Sequence, residues 1–443
     1  MSEQPATDRH WAAPTADGPV RGTVSVPGSK SVTNRALVLA ALGADGVTRH
    51  VRGAARSRDT TLMAGALAAL GAGVRTADGR AGTVDLAITA PRAFHGAHVD
   101  CGLAGTVMRF VPPLAALADG PVVLDGDERA RERPMGGIVA GLRGLGVEVS
   151  GEALPLTVAG GPHPRGGEVT VDASASSQFV SGLLLSGARY ADGVTVVHAG
   201  ERGVPSLPHV AMTVAMLRSA GVTVEEGASR WRVAPGPVTA PAVCDVEPDL
   251  SGAAVYLAAA LVTGGEVVIA GWPDTDLQPG AAVRRVLEAF GADVALDDRG
   301  LAVRGPGRLD GVDVDLGEVS ELTPTVAALA AVAARDGATS RLRGVAHIRG
   351  HETDRLAALA AELGTVGARV TETDDGLEIA PGPLSAPTRP WRAYADHRMA
   401  TAGAIVGLVV PGVTVDDVAA TTKTLPDFAT DWPALVGGVG AGV

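Results

Sequence analysis

A group of small polar and basic residues near the start of the chain is typical of a site that binds an anion. A turn at residues 27–28 precedes Ser29, a favoured helix N-cap, and an Ala- and Leu-rich run follows that predicts a buried helix. Lys30, Ser31 and Arg35 fall in its first turns, and Ser31 and Arg35 share a face because they are four residues apart. Free backbone N–H groups and the positive end of the helix dipole lie at the same end, so the segment predicts a phosphate site.

Two other interpretations of this segment are a solvated helix start and a mononucleotide P-loop. A single Lys-Ser pair is common at a solvated helix start. The P-loop pattern fails, because Val24 stands where its first glycine belongs and Ser29 directly precedes Lys30. The solvated helix start is therefore the alternative that the sequence leaves open.

The strand, the turn and the apolar helix recur six times, which indicates repeated α/β units. The turn-to-helix junctions follow one another at intervals of 72 to 74 residues, and a second marker, a helix that ends in glycine before a strand, recurs at intervals of 70 to 76 residues. Such units are larger than ordinary solenoid repeats and fit two pseudo-symmetric halves of three. Equivalent units would bring several helix N-termini together between the halves, which suits ligands with several negative charges. The junctions are at Ser31, Gly105, Ser177, Ser251, Thr323 and His397.

The length and composition indicate a folded α/β protein with a substantial core rather than a protein that binds nucleic acids or membranes. The 443 residues are 46% hydrophobic and only 3% aromatic, so the core must be built from Ala, Val and Leu. A net charge of −12 argues against general binding to nucleic acid or anionic membranes. Two cysteines, Cys101 and Cys244, cannot form a disulfide framework. Residues 1–22 lack the apolar core of a signal peptide, and no uncharged run reaches the ~20 residues of a membrane span, so we expect a soluble cytoplasmic protein.

Two further polar clusters could bind anions. The loop 125–134 holds three arginines beside a Gly-rich junction, although a solvated loop is the commoner explanation of such a cluster. Ser176, Ser177 and Gln178 stand at a helix start, where hydroxyl and amide groups can bind phosphate oxygens or simply cap the helix.

His347 and His351, with Glu352 beside them, are the residues that could suggest zinc. Gly350 weakens a continuous helix between the two histidines, and no third ligand stands at a usual spacing. The second histidine of a zinc-protease motif is also absent. We therefore expect no metal site.

Seven short motifs in chain order give the sequence a family resemblance. The sequence resembles the EPSP synthase (3-phosphoshikimate 1-carboxyvinyltransferase) family of enolpyruvyl transferases over Val20 to Phe428. Each motif is weak alone, but the seven in order are specific. The motifs are Pro-Gly-Ser-Lys-Ser-x-x-x-Arg from Pro27, Ala-Gly-Thr-x-x-Arg from Ala104, Glu-Arg-Pro from Glu132, Ser-Ser-Gln from Ser176, Glu-Thr-Asp-Arg-Leu from Glu352, Asp-His-Arg-Met from Asp396 and Lys-Thr-x-Pro-Asp from Lys423.

The resemblance implies an α/β fold of two inverse α/β-barrel-like domains, each of three pseudo-symmetric repeats. The domain on the shikimate 3-phosphate side would be 24–244, and the other would be discontinuous, 1–23 and 245–443, because the N-terminal strand returns to the C-terminal half. The active site would lie in the interdomain cleft. The resemblance also implies that the protein is a monomer, that it needs no cofactor or metal, and that it is the target of glyphosate.

The resemblance also implies the substrates, phosphoenolpyruvate and shikimate 3-phosphate, and the residues that bind them. Glu321 is the candidate base, and Glu352 and Lys30 are the candidate acids. The residues expected to bind shikimate 3-phosphate are Lys30, Ser31, Arg35, Ser176, Ser177, Gln178, Ser206, Glu321 and His351. Those expected to bind phosphoenolpyruvate are Lys30, Gly105, Arg133, Gln178, Arg355, His397, Arg398 and Lys423, with Arg355 and Arg398 on its carboxylate.

Five positions depart from the most familiar pattern of the family. Glu321 replaces an Asp, His351 a Lys, His347 an Asn, His209 a Tyr and Leu103 an Asn. A histidine in place of a lysine would add a titration near neutral pH. The acceptor's identity, the pH optimum and the sensitivity to glyphosate are the properties that the sequence leaves open.

Two rival functions are a UDP-N-acetylglucosamine enolpyruvyl transferase and a non-catalytic anion-binding protein of the same fold. The first rival usually carries a catalytic cysteine in the loop that matches 125–134, and this loop has none. The second predicts loss of Glu321, Glu352 or Lys30, and all three are present.

Overall fold

The computed structural model describes residues 10–80, 82–161, 164–274 and 277–438. Residues 1–9, on which the expectation of no signal peptide partly depends, lie outside the described residues. The fold is a mixed, repeated α/β fold, as predicted. The chain folds into two compact units, an N-terminal unit, Pro27–Glu247, and a C-terminal unit, Met1–Val26 with Pro248–Val443. The sequence-based limits lie a few residues from these, and the assignment of each unit to a substrate stays a prediction.

The N-terminal unit contains three four-stranded sheets of one pattern. The sheet orders are β14-β3-β5-β4, β6-β7-β9-β8 and β10-β11-β13-β12, and in each the first two strands are parallel while the others are antiparallel. The strands are β3 (Thr48–Ala55), β4 (Gly73–Asp78), β5 (Thr83–Thr89), β6 (Ala97–Asp100), β7 (Val122–Asp125), β8 (Val149–Ser150), β9 (Leu156–Val158), β10 (Gly167–Val171), β11 (Val194–His198), β12 (Val224–Glu226), β13 (Arg230–Val233) and β14 (Val243–Asp245). The helices are α1 (Lys30–Ala41), α2 (Arg58–Ala69), α3 (Gly105–Ala115), α4 (Glu128–Arg131), α5 (Gly136–Gly144), α6 (Ser177–Gly187) and α7 (Pro208–Ser219).

The C-terminal unit has two sheets of the same pattern and a reduced third. Their orders are β2-β15-β17-β16, β18-β19-β21-β20 and β1-β22. The strands are β1 (Trp11–Ala12), β2 (Arg21–Val24), β15 (Glu266–Ala270), β16 (Asp293–Asp297), β17 (Gly300–Arg304), β18 (Asp313–Asp315), β19 (Ser340–Arg343), β20 (Arg369–Glu372), β21 (Leu377–Ala380) and β22 (Thr414–Val415). The helices are α8 (Leu250–Thr263), α9 (Gly280–Ala289), α10 (Thr323–Arg335), α11 (Arg355–Thr365), α12 (His397–Gly407) and α13 (Phe428–Val436), with 3₁₀ helices at Ser320–Leu322, Ala346–Gly350 and Val418–Lys423.

The six predicted junctions all lie in the first two residues of a buried helix. These helices are α1, α3, α6, α8, α10 and α12. Each is buried on all faces, so most of its residues are apolar, chiefly Ala, Val and Leu. The second marker is also confirmed, since the glycine after each outer helix has a positive φ, for example 103° at Gly71 and 85° at Gly367.

The sixth repeat departs from the predicted regularity. Its sheet keeps only β22, which pairs with β1 from the start of the chain, and its first strand is reduced to a single bridge between Trp391 and Val415. Four aromatic side chains pack in this region: Trp11, Tyr256, Phe428 and Trp432, with neighbouring ring centroids 5.4–6.0 Å apart. The rest of the core is mainly Ala, Val and Leu, as the composition predicts.

Helices that could span a membrane are absent from the described ranges. Cys101 is buried and Cys244 is half-buried, and neither forms a disulfide. Groups of three or more His, Cys, Asp or Glu placed to hold a metal ion are likewise absent from the part of the chain that the structure describes.

Candidate active site

The predicted site residues form two groups, one on each unit. Those on the N-terminal unit are Lys30, Ser31, Arg35, Gly105, Arg133, Ser176, Ser177, Gln178 and Ser206. Those on the C-terminal unit are Glu321, His351, Glu352, Arg355, His397, Arg398 and Lys423.

Lys30 is the first residue of α1 and is held by a carboxylate. Ser29 caps the helix as predicted, because its side chain accepts a hydrogen bond from the backbone of Val32. The Lys30 Nζ lies 3.0 Å from Asp59 Oδ2, and the two side chains are 18% and 3% exposed. Asp59 is in the first turn of α2, just after its N-cap Ser57. Asp59 lies outside all seven motifs, and the polar residues around it, Ser57 to Thr61, are the signal that marks a helix start there.

Arg35 is a fully buried cation without a carboxylate partner among the described residues. Its Nε donates to Thr213 Oγ1 at 2.7 Å, and its Nη2 donates to the His209 carbonyl at 3.0 Å and to Ser181 Oγ at 3.3 Å. Its Nη1 donates to the Ser31 carbonyl at 2.9 Å. Burial lowers the pKa of Arg35 to about 9, because none of these neutral oxygens compensates the charge fully. The cation is therefore poised to gain from a bound anion.

Gly105, Arg133 and Gln178 meet at the start of α3. A Cβ built on Gly105 would lie 3.1 Å from Arg133 Nη2 and 3.1 Å from Gln178 Oε1, so only glycine leaves these polar ends undisturbed. Arg133 is buried, and its Nη1 donates to the Leu103 carbonyl at 3.0 Å. The Arg133 Nε has no hydrogen-bond partner within the described ranges. Arg109, also buried, donates to the carbonyl of Pro134 at 2.7 Å and so fixes the residue next to Arg133.

Only one of the three arginines in the loop 125–134 has the environment of an anion ligand. Arg131 pairs with Asp125 at 2.8 Å and Arg129 pairs with Glu132, and all four side chains are largely exposed. The Asp125 carboxylate, in turn, raises the pKa of Arg131. Arg129 and Arg131 thus fit the alternative of a solvated loop, and an anion-binding role stays a prediction for Arg133.

Ser176 and Ser177 lie at a helix start, as predicted. Ser176 caps α6, since its Oγ accepts from the backbone N–H of Gln178 at 3.2 Å, and Ser177 is the first residue of that helix. Ser206 precedes α7 with φ of +49°, a left-handed conformation that is uncommon for a serine. Such non-glycine outliers cluster at functional sites.

On the C-terminal unit, Arg355 is clamped between two carboxylates. Its Nε and Nη2 donate to Asp396 at 2.7 and 3.1 Å, and Nη2 also donates to Glu352 at 2.9 Å. Burial opposes the charge, but Asp396 and Glu352 outweigh it and raise the pKa of Arg355. Asp396 also caps α12, where it accepts from the backbone of Arg398. Asp396 is part of one of the seven motifs, but the motif assigns it no role.

Glu352 links two cations. Its Oε1 accepts from Lys423 Nζ at 2.6 Å and its Oε2 accepts from Arg355, in surroundings where Glu352 and Lys423 are 9% and 11% exposed. Two cations at this distance favour the ionised carboxylate. This contact makes Glu352 a poor proton donor.

His347 and His351 are both neutral in this arrangement. Their ring centroids are 5.7 Å apart, and the His347 Nε2 lies 2.9 Å from Ser320 Oγ. Burial lowers the pKa of His347 to about 4, with Glu321 partly opposing the shift. His351 Nδ1 lies 3.0 Å from Arg355 Nη1, which can only donate, so the His351 ring accepts there and carries its proton on Nε2.

Arg398 and His397 begin α12 beside the same group. Arg398 donates from Nη1 to the Glu321 carbonyl and from Nη2 to Ser251 Oγ, both at 2.9 Å. Burial and then the nearby Arg355 lower the pKa of Arg398. His397 is 4% exposed. Arg398 therefore ties three helix starts of the C-terminal unit together: those of α8, α10 and α12.

Two of the five departures from the family pattern contribute backbone atoms to the contacts seen here. Leu103 supplies the carbonyl that Arg133 contacts, and His209 supplies one that Arg35 contacts. These two contacts would persist with other side chains at either position.

Comparisons with known proteins identify the family and the fold of the chain. The sequence profile of the EPSP synthase (3-phosphoshikimate 1-carboxyvinyltransferase) family matches residues 14–432. Two structures of EPSP synthase from Acinetobacter baumannii are similar in fold: one has a TM-score of 0.75 and 23% identity over 97% of this chain and 98% of that chain, and the other 0.73 and 23% over 96% and 97%.

The enolpyruvyl transferase NikO from Streptomyces tendae is similar too, with a TM-score of 0.71 and 18% identity over 95% of this chain and 96% of that chain. At these identities the structural likeness shows the shared fold. The family profile spans nearly the whole chain, which confirms the resemblance predicted from the seven motifs. The chain belongs to the EPSP synthase (3-phosphoshikimate 1-carboxyvinyltransferase) family.

Proposed function

We propose that this chain transfers the carboxyvinyl group of phosphoenolpyruvate to the 5-hydroxyl of shikimate 3-phosphate, giving EPSP and phosphate in the route to chorismate and the aromatic amino acids. Family membership supports the reaction. The observation that supports the assignment of residues is the pair of buried guanidinium groups, Arg35 and Arg133, neither of which has a carboxylate partner among the described residues. A buried cation is costly without an anion, and both substrates carry phosphate.

The N-terminal group is assigned to the phosphates. Helix starts, hydroxyl groups and cations suit phosphate oxygens because they offer many donors. Shikimate 3-phosphate would be held by Ser31, Arg35, Ser176, Ser177 and Ser206. The phosphate of phosphoenolpyruvate would be held by Lys30, Gly105, Arg133 and Gln178, together with Lys423 of the C-terminal unit.

The C-terminal group is assigned to the carboxylate of phosphoenolpyruvate. Arg355 uses Nε and Nη2 on protein carboxylates, and its Nη1 carries two hydrogens, of which the His351 contact uses one. Arg398 is partly buried and burial lowers its pKa, so a substrate carboxylate would stabilise its charge. His397, at the start of the same helix, is assigned to the same substrate.

The chemistry requires one proton to leave the acceptor hydroxyl and one to reach the methylene carbon of phosphoenolpyruvate. Glu321 is assigned as the base, with Glu321 and His351 on the shikimate side. The hydroxyl oxygen bonds to C2 as the methylene carbon C3 takes a proton, which gives a tetrahedral intermediate. In the second step C3 returns a proton and the C–O bond to phosphate breaks, so the double bond is restored.

Lys30 is a better candidate than Glu352 for the group that protonates C3. Glu352 accepts from two cations, which favours its ionised form. A lysine ammonium group carries a proton that it can transfer, and the ammonium group of Lys30 forms an ion pair with the carboxylate of Asp59. Lys30 and Lys423 are the only lysines of the sequence, which otherwise uses arginine for its basic residues. A lysine amine is therefore present only at two positions, and both belong to the predicted site.

The proposal also includes inhibition by glyphosate, a monomeric state and a cytoplasmic location, all of which come from the family resemblance. The close approach of Arg133 and Gln178 to Gly105 supports the glyphosate assignment, because their polar ends converge where a side chain would otherwise stand. Inhibition competitive with phosphoenolpyruvate is the expected result.

Phosphate release from phosphoenolpyruvate tests the function directly. The assay supplies shikimate 3-phosphate or UDP-N-acetylglucosamine as the acceptor, and a Lys30→Met/Glu321→Gln double variant as the inactive control. We expect release only with shikimate 3-phosphate. Release only with the nucleotide sugar, or with neither acceptor, would contradict the proposal.

A further inference from the structure

The carboxylate of Glu362 is fully buried, yet it belongs to none of the substrate-binding groups. It is 0% exposed on α11 and accepts four hydrogen bonds. Arg389 donates to both of its oxygens at 2.7 and 2.9 Å, the backbone N–H of Arg392 donates to Oε2 at 3.0 Å, and the Tyr394 hydroxyl donates to Oε1 at 2.6 Å. All four donors come from one short segment, 389–394.

That segment leads directly into the site through a left-handed turn. Tyr394 and Ala395 have φ of +55° and +52°, a conformation that side chains other than glycine adopt rarely. Asp396 follows at once, caps α12 and binds Arg355. Two consecutive residues of this kind persist only where the surroundings hold them.

The same helix holds both ends of the segment. Arg355 and Glu362 are both on α11 and are seven residues apart, which is about two turns and places them on one face. Arg355 forms an ion pair with Asp396, and Glu362 accepts hydrogen bonds from the segment 389–394, which precedes Asp396. The turn at Tyr394 and Ala395 is thus fixed at its two ends by one rigid element.

We propose that Glu362 is a positioning residue for enolpyruvyl transfer, because it holds the left-handed turn that sets Asp396 against Arg355. The proposal rests on the proposed function for its kinetic test only. Glu362 does not touch the substrate; it acts through Tyr394 and Asp396. Tyr394 agrees with this role, since burial and the hydrogen bond to Glu362 raise its pKa and keep the phenol a donor.

The test compares Glu362→Gln with Glu288→Gln, the same change at an exposed position on the outer helix α9. We expect Glu362→Gln to raise the KM for phosphoenolpyruvate at least tenfold and to change the KM for shikimate 3-phosphate less than threefold. Tyr394→Phe, which removes one hydrogen bond only, should raise the same KM by a smaller factor and should not add to the effect of Glu362→Gln. Equal effects on both KM values, or none, would overturn the proposal.

A rescue separates positioning from a general loss of packing. Ala395→Gly removes the penalty of the left-handed conformation, so adding it to Glu362→Gln should recover most of the lost affinity for phosphoenolpyruvate. A helix that is merely weakened would not be repaired by a change in the turn. Failure of this rescue, with Ala395→Gly alone fully active, would contradict the proposed role.

Hydrogen exchange gives a readout that does not depend on the substrate. In Glu362→Gln the amides of 389–398 should exchange at least tenfold faster, while those of α8 should not change. If the wild type lacks the transferase activity but Glu362→Gln still exchanges faster in 389–398, the proposed function is wrong and the turn mechanism is supported. Unchanged exchange in 389–398 would refute the turn mechanism, whatever the activity.

Discussion

The guanidinium of Arg355 and the carboxylate of Asp396 form a two-point ion pair that is almost completely buried. The Nε–Oδ2 and Nη2–Oδ1 distances are 2.7 and 3.1 Å, and the side chains are 2% and 0% exposed. A planar guanidinium held at two points cannot rotate, so the direction in which Nη1 donates is fixed before any substrate binds.

Asp396→Asn should separate this orientation from helix capping. Asparagine still caps α12, but it removes the charge opposite Arg355 and cannot accept at both points. We expect the KM for phosphoenolpyruvate to rise at least tenfold and the free energy of unfolding to fall by about 3 kcal/mol, as for other broken buried pairs. Steady-state kinetics and urea unfolding measure the two effects.

Asp354→Asn is the matched control. Asp354 caps α11 in the same way, but its ion pair with Arg349 is 3.4 Å long and partly exposed. A pair of this kind contributes less than about 1 kcal/mol. Similar losses in the two variants would show that capping, rather than the buried pair, determines the effect.

The proton assignment predicts unequal effects of Lys30→Met and Glu352→Gln. In deuterium oxide, the wild type should incorporate solvent deuterium at C3 of phosphoenolpyruvate in the presence of shikimate 3-phosphate. Lys30→Met should slow this incorporation by about 10³-fold, within the range of general acid–base catalysis, whereas Glu352→Gln should slow it far less. Glu352→Gln should mainly weaken substrate binding, because Arg355 and Lys423 lose their shared anion. The reverse order of the two rates would assign the proton to Glu352.

The carboxylates that hold the site's cations are the part that sequence patterns predicted least well. The cations are recognised by motifs at helix starts, since a short stretch sets their local geometry. Asp59 and Asp396 gain their roles only through contacts with Lys30 and Arg355, and Asp396 is 41 residues from Arg355 along the chain. No local spacing encodes such a pairing.

The loop 125–134 shows the same limit for arginines. Arg129, Arg131 and Arg133 alternate along a short charged stretch, and composition alone gives them equal chances of binding an anion. In the structure, Arg133 is buried beside Gly105, whereas Arg129 and Arg131 form ion pairs with exposed carboxylates. The fold was more predictable, because the six helix starts repeat a local pattern that each unit satisfies independently. The sixth sheet breaks this local pattern, because its partner strand β1 comes from the other end of the chain.

Gly105→Ala should weaken phosphoenolpyruvate binding without unfolding the protein. The added Cβ would stand 3.1 Å from the polar ends of Arg133 and Gln178, which can move aside by a few tenths of an ångström. We expect a KM for phosphoenolpyruvate about five- to twentyfold higher, or about 1–2 kcal/mol, with a Tm close to that of the wild type. Gly136→Ala provides the control: Gly136 also begins a helix, α5, but a Cβ there meets no atom within 4 Å. Equal kinetics for the two variants would place the phosphate elsewhere.

His347 predicts a loss of stability in weak acid. Its pKa is about 4 in the folded protein, because burial disfavours the charged ring, against 6.5 when unfolded. Between these values the unfolded chain binds more protons than the folded chain, so stability rises with pH across the window and falls as the pH drops from 6.5 towards 4. From pH 7 to pH 5 this histidine alone should remove about 1–2 kcal/mol from the free energy of unfolding.

Urea unfolding of the wild type, His347→Asn and His10→Asn at pH 7 and pH 5 measures that contribution. Asparagine cannot titrate in this range, so His347→Asn should lose about 1–2 kcal/mol less than the wild type between the two pH values. His10 is exposed, and His10→Asn should behave as the wild type does. If His347→Asn loses as much stability as the wild type, the ring is not held neutral against Ser320, and a charged His347 would instead stand beside Glu321 and Arg355.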